Sequence, residues 1–139
     1  MSLTHQQARD EIFDVLIAAW TPTTFPIHWE EVRKQRSKDE KPWAVATLQH
    51  SAGFQSTLSG AVGSRTFTRL GFLTVQIFTP NGKGLQDAYD LAKVVSDAFE
   101  GISTPGGVWF RNVRLNEVGR DGEFFQLNVV VEFRYDEVK

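Results

Sequence analysis

Apolar residues near the start of the chain fall on one helical face: Ala8, Ile12, Val15, Leu16 and Ala19, with Arg9, Asp10, Glu11 and Asp14 largely opposite. That spacing predicts an amphipathic helix from Thr4 to Trp20. Thr4 followed by Gln7 has the form of a capping box at its start. Pro22 and Pro26 end it, because proline lacks an amide donor and disfavours helix in the residue before it. A short extended piece, Ile27 to Trp29, follows. The next stretch, 30–41, is dominated by charge, with five basic and four acidic residues. It reads as a solvated loop or short helix in preference to a partner-binding segment.

Beyond Pro42 the period changes. Trp43 to His50 reads as a strand, and Ser51 to Ser64, with Gly53, Gly60 and Gly63, reads as a glycine-rich loop that still carries Phe54, Leu58 and Val62. Thr66 to Phe78 alternates strictly. Leu73, Val75 and Ile77 take one face and Phe72, Thr74, Gln76 and Phe78 the other, with Gly71 marking a bulge or bend. After the turn at 79–84, Leu85, Ala88, Leu91, Ala92, Val95 and Phe99 form a second helical stripe. Burying such a stripe at about 1.5–3 kcal/mol per large side chain would clamp this helix to a sheet. The last third predicts a hairpin: Val108 to Val118, a turn around Gly119–Gly122, then Glu123 to Tyr135, with Phe125, Leu127, Val129, Val131, Phe133 and Tyr135 on one face. The predicted order is α-β-β-β-α-β-β. It implies an α+β fold with a mainly antiparallel sheet of about four strands and both helices on one face.

At 139 residues the chain fits one domain, taken here as 1–139. Apolar residues make up 41% and charged residues 23%, a globular profile. With 15 Lys and Arg against 17 Asp and Glu, the net charge of -2 gives no overall field toward nucleic acid or an anionic membrane. The absence of cysteine removes disulfides, thiolate zinc sites and a cysteine nucleophile. No apolar run approaches the roughly 20 residues of a membrane span, and the first residues lack the pattern of a signal peptide.

The search for catalytic patterns finds none. Asn81-Gly82-Lys83-Gly84 lacks P-loop spacing and reads as a turn and cap. His5, His28 and His50 lie on separate elements without metal-ligand spacing, so surface or packing roles are expected. There is no nucleophile elbow, and Asp87, Asp90 and Asp97 read as a solvated helix face. Trp20, Trp29, Trp43 and Trp109 could stack bases or sugars, although core or interface packing is the commoner use of such positions. No cofactor, metal or enzymatic activity is expected.

Three longer stretches carry a resemblance. The run Arg69-Leu70-Gly71-Phe72-Leu73-Thr74-Val75-Gln76-Ile77-Phe78-Thr79-Pro80-Asn81-Gly82-Lys83-Gly84 precedes an amphipathic helix ending in Phe99. After it come Val118 to Val129, containing Asp121-Gly122 and Gln126-Leu127-Asn128-Val129, and then Phe133 to Glu137. Together with the first helix, the Pro26 to Trp29 segment and Pro42-Trp43, they resemble the tail terminator family of long-tailed phages and prophages. The resemblance implies a structural virion protein of the tail or neck, made in the bacterial host cytoplasm. Such a protein closes as a homohexameric ring on the finished tail tube, stops its growth and offers a surface for joining the head. The implied partners are further copies of itself, the major tail tube protein and a head-tail connector protein. DNA passes through the lumen without sequence recognition, and no membrane is involved. A cyclic ring needs two different, complementary patches on each subunit. The stretch from Phe54 to Arg69, with Phe54, Leu58, Arg65, Phe67 and Arg69, is the expected contact to neighbour, tube or lumen. Two other classes stay open: another neck or connector protein, and a small ligand-binding or enzymatic domain with a pocket between the sheet and the second helix.

Overall fold

In a computed structural model of the protein, residues 2–29, 42–57, 60–80, 85–121 and 124–139 are described. The turn at 81–84, the charged stretch 30–41 and Leu58 lie outside them. The elements are α1 (His5–Trp20), β1 (Ile27–Trp29), β2 (Trp43–Gln55), β3 (Thr66–Pro80), α2 (Gln86–Phe99), β4 (Trp109–Asp121) and β5 (Phe124–Val138), with a 3-10 turn over Thr21–Thr23. The strands form one sheet in the order β1-β2-β3-β5-β4. Every pairing is antiparallel except β1 with β2. The fold is α+β, with five strands because Ile27–Trp29 joins the sheet alongside Ala44–Ala46.

Sequence chemistry accounts for the elements. Thr4 caps α1: its Oγ1 accepts from the Gln7 amide, and the Gln7 side chain accepts from the Thr4 amide in return. At the other end the Trp20 indole N–H donates to the Phe25 carbonyl at 2.9 Å, and Thr24 takes a left-handed conformation, so the chain reverses into β1. Both helices cover the same sheet face. The core joins Ala8, Ile12, Leu16 and Trp20 of α1 and Leu91, Val95 and Phe99 of α2 to Leu73, Val75 and Ile77 of β3 and the odd-numbered residues Val129 to Tyr135 of β5. On the opposite face Trp43, Phe78 and Phe124 form a second cluster, with the first two rings stacked at 4.3 Å. The pairing of β3 with β5 runs for the full length of both strands, from Thr66↔Val138 to Pro80↔Phe124, without a register shift.

The structure revises the sequence reading at three places. β2 continues to Gln55, so the loop expected from Ser51 is shorter. The bulge is in β2, between His50 and Ala52, opposite Gly71 and Leu70. Gly71 itself is required by close approach, since a Cβ there would collide with the Gln49 carbonyl and the Phe133 ring. In the last hairpin, Gly119 sits in a bulge with φ 100° and the strand continues to Asp121, where the turn was expected to have begun.

Candidate functional site

The expected contact segment occupies the end of the β2–β3 hairpin, beside the ends of the chain. Leu3 N–H donates to the Asp136 carbonyl and Lys139 N–H to the Arg65 carbonyl, which places α1, the hairpin and the end of β5 together. Register divides the named residues between two faces. Phe54 lies opposite Thr68 and Gln55 opposite Phe67, so Phe54 points away from the side that carries Phe67 and Arg69. Phe54 is 49% exposed. Arg65 donates from Nε to the Gly60 carbonyl at 3.0 Å.

Phe67 and Arg69 form a local cluster with the last residues. The Arg69 guanidinium lies 5.3 Å from the Phe67 ring centre, and the Lys139 ammonium 5.4 Å. Arg69 also pairs with Glu137 at 3.0 Å, with only 16% and 15% of these side chains exposed. The charge of Arg69 is therefore neutralised within the subunit; Lys139 lies 4.0 Å from the same Glu137 carboxylate, and Arg65 adds positive charge beside this cluster.

A second feature was not legible in the sequence. His5 of α1 and His50 of β2 meet edge to face at 4.7 Å, and His50 Nε2 lies 2.6 Å from the Tyr135 hydroxyl. Partial desolvation of its ring against Tyr135, then the neighbouring charges of His5 and Arg69, hold His50 below the usual imidazole range. Burial pushes the Tyr135 phenol up to about 12. The phenol therefore keeps its proton, and it shares a hydrogen bond with Nε2 of His50 whose direction follows the imidazole tautomer. Among the described residues, no group of three or more His, Cys, Asp or Glu is placed to hold a metal ion.

Beside this pair, a groove of about 310 Å³ opens between α1 and β2, lined by His5, Arg9, Phe13, Trp29, Leu48 and His50. Its floor is set by Phe13 stacked on Trp29 at 3.9 Å, with the Arg9 guanidinium 4.9 Å from the Phe13 ring centre. The signal for it was faint: Arg9 and Phe13 share a helical face at i and i+4, but nothing local shows that β1 brings Trp29 against them. The remaining tryptophans divide. Trp20 and Trp43 are buried, whereas Trp109 is 63% exposed at the start of β4.

The model of a family described as phage tail terminator protein matches residues 11–106. The chain belongs to the phage tail terminator family. The match runs from within α1 through the loop after α2, and so includes the hairpin end and, of the groove, Phe13, Trp29, Leu48 and His50 but neither His5 nor Arg9. No curated protein matches this terminator in sequence. Fifteen chains of solved structures are similar to it, and one of them shares its fold with a TM-score of 0.71 over 96% of each chain at 16% identity. Among the described residues, no helix of the terminator is long and apolar enough to cross a membrane.

Proposed function

We propose that this terminator acts by shape, closing as a ring on the end of a completed tail tube, stopping its growth and presenting the surface to which the head joins. The family match over residues 11–106 carries this reading. The hairpin end supports it: the exposed Phe54 and the half-buried Phe67 lie on opposite faces of the β2–β3 hairpin end, and Arg65 adds positive charge. In this reading the hairpin end faces the tube rim and the lumen, where Arg65 and Lys139 meet DNA phosphates without reading sequence. The partners are other copies of the chain, the major tail tube protein and a head-tail connector protein, and no bond is made or broken.

The experiment is to add the purified protein to polymerising tail tube protein and follow tube length by electron microscopy. Capping predicts shorter tubes with density at one end, and tubes of unchanged length and bare ends would overturn the reading. Arg65→Glu should leave capping intact and slow DNA passage in assembled particles. Normal ejection by that variant removes the lumen assignment.

A further inference from the structure

Exposed apolar side chains gather on the β4 side of the molecule. Trp109, Leu115 and Val118 of β4, Ile102 of the loop before it, and Leu85 and Tyr89 at the start of α2 are each at least 40% exposed. The Tyr89 hydroxyl donates to Glu117 at 2.8 Å, which ties the α2 members of this group to the strand. β4 is an edge of the sheet, and bulges between Arg111 and Arg114 and between Glu117 and Gly119 interrupt it. An edge broken in this way is poorly shaped to take a further strand, so contact here falls to side chains.

The first bulge sets a direction. Trp109 and Arg111 lie opposite Arg134 and Glu132, on the face away from the helices, and strict alternation would turn Arg114 to the other face. The extra residue at the bulge, where Asn112 takes φ 51°, brings Arg114 opposite Val130 and so onto the helix-free face as well. Trp109, Arg111 and Arg114 thus form one exposed row with about 7 Å from rung to rung. The Arg134 guanidinium, 6.0 Å from the Trp109 ring centre, adds a third positive charge. Glu132 opposes them, but it already accepts from Asn112 at 2.6 Å and lies 3.7 Å from Arg114. Beside Trp109 a hollow of about 350 Å³ opens, lined by Ile102, Gly107 and Phe110. Tryptophan and arginine are the residue types that most often anchor contacts between proteins.

The complement lies on the same chain. On the outward sides of the helices Asp10, Asp14, Asp87, Asp90 and Asp97 are exposed, while the only Arg or Lys in the two helices are Arg9 and Lys93, the latter paired with Asp97. One stripe of this acidic layer fits the β4 row. Asp10, Asp14 and Ile17 follow at i, i+4 and i+7, so they stand in line on α1 with steps of about 6 Å and about 5 Å. Ile17 is 38% exposed. The groove shows α1 lying against β2, whereas β4 is the opposite edge of the sheet, so the stripe and the row belong to different sides of the subunit.

We infer that neighbouring copies meet through these two surfaces, Arg114 and Arg111 of one lying over Asp10 and Asp14 of the next while Ile17 enters the hollow beside Trp109. This rests on the ring reading above and names its contact. The charge of each surface is answered by the other, which makes a second copy the partner. Because the surfaces differ, the contact is head-to-tail, as a cyclic ring requires. Exposed ion pairs are screened by water and salt, so the arginines set orientation and the burial of Trp109 and Ile17 supplies affinity.

Two charge-reversed proteins test the contact, Asp10→Lys with Asp14→Lys and Arg111→Glu with Arg114→Glu. Each alone sets like charges against each other and should self-associate at least tenfold more weakly than the wild type in sedimentation, at an unchanged melting temperature. Mixed in equal amounts, each offers the surface that the other needs, and association should return. Wild-type association by the aspartate variant alone, or a mixture of the folded variants no stronger than its parts, would overturn the inference. Ile17→Lys, on an exposed helical face, should weaken association tenfold where Ile17→Leu keeps it, and wild-type association by Ile17→Lys also overturns it. That pair decides the matter by itself should Glu132 repel the new glutamates and unfold the arginine variant. Tail tubes capped equally well by the wild type and by every variant sink this contact and leave capping standing. Association restored by mixing, with tubes left bare, does the reverse, and a wild type that neither associates nor caps removes both.

Discussion

His50 shows how a single side chain can tie three elements. It stands at the β2 bulge, faces His5 from α1, has the charge of Arg69 from β3 nearby, and hydrogen-bonds with Tyr135 of β5, with Glu137 two residues further along that strand. Because its folded pKa lies below the ordinary imidazole value of 6.5, the unfolded chain binds the extra proton first as pH falls. Its contribution is complete above pH 6.5 and is lost as the pH falls through the lower folded value. Urea unfolding midpoints should therefore drop as pH is lowered below that point, and His50→Gln should flatten this part of the profile. An unchanged slope in the variant would remove the assignment. Gly71 is a second case, fixed by contact alone. Gly71→Ala should cost about 1–3 kcal/mol in chemical denaturation, since the new methyl meets the Gln49 carbonyl and the Phe133 ring in a close-packed interior.

Among the elements, α1 depends most visibly on its start. The reciprocal Thr4–Gln7 bonds hold the first turn beside His5 and the end of β5. Thr4→Ala should lower stability by about 0.5–2 kcal/mol, and Thr4→Ser should retain most of it, as read from thermal melting. This helix, α2 and the faces of β3 and β5 were all legible in the sequence, because each buries one side and so writes a period into the chain. The second half of β2 was not. From Gln49 to Gln55 both faces are exposed, so pairing with β3 leaves no alternation to read. Gly119 misled for a related reason: a glycine two residues before Asp121-Gly122 looks like part of the same turn, and only the register shows it to be a bulge.

For the whole molecule, the α+β architecture was readable from the order and period of the elements, and the family from stretches that include the long motif around β3, which lies within the matched residues 11–106. The groove was not, since it unites Arg9 and Phe13 with Trp29 and His50, which are far apart in the chain. The arginines of the hairpin also differ in a way that composition cannot show. Glu137 neutralises Arg69 in a largely covered pair, while Arg65 is held by a backbone carbonyl and keeps its charge available. The unbroken β3–β5 pairing has a mechanical meaning in the proposed ring. A pull along the strands is shared by all its rungs at once instead of opening them one by one. In that proposed ring a subunit should part from its neighbours before it tears internally, and damaged rings would shed intact copies.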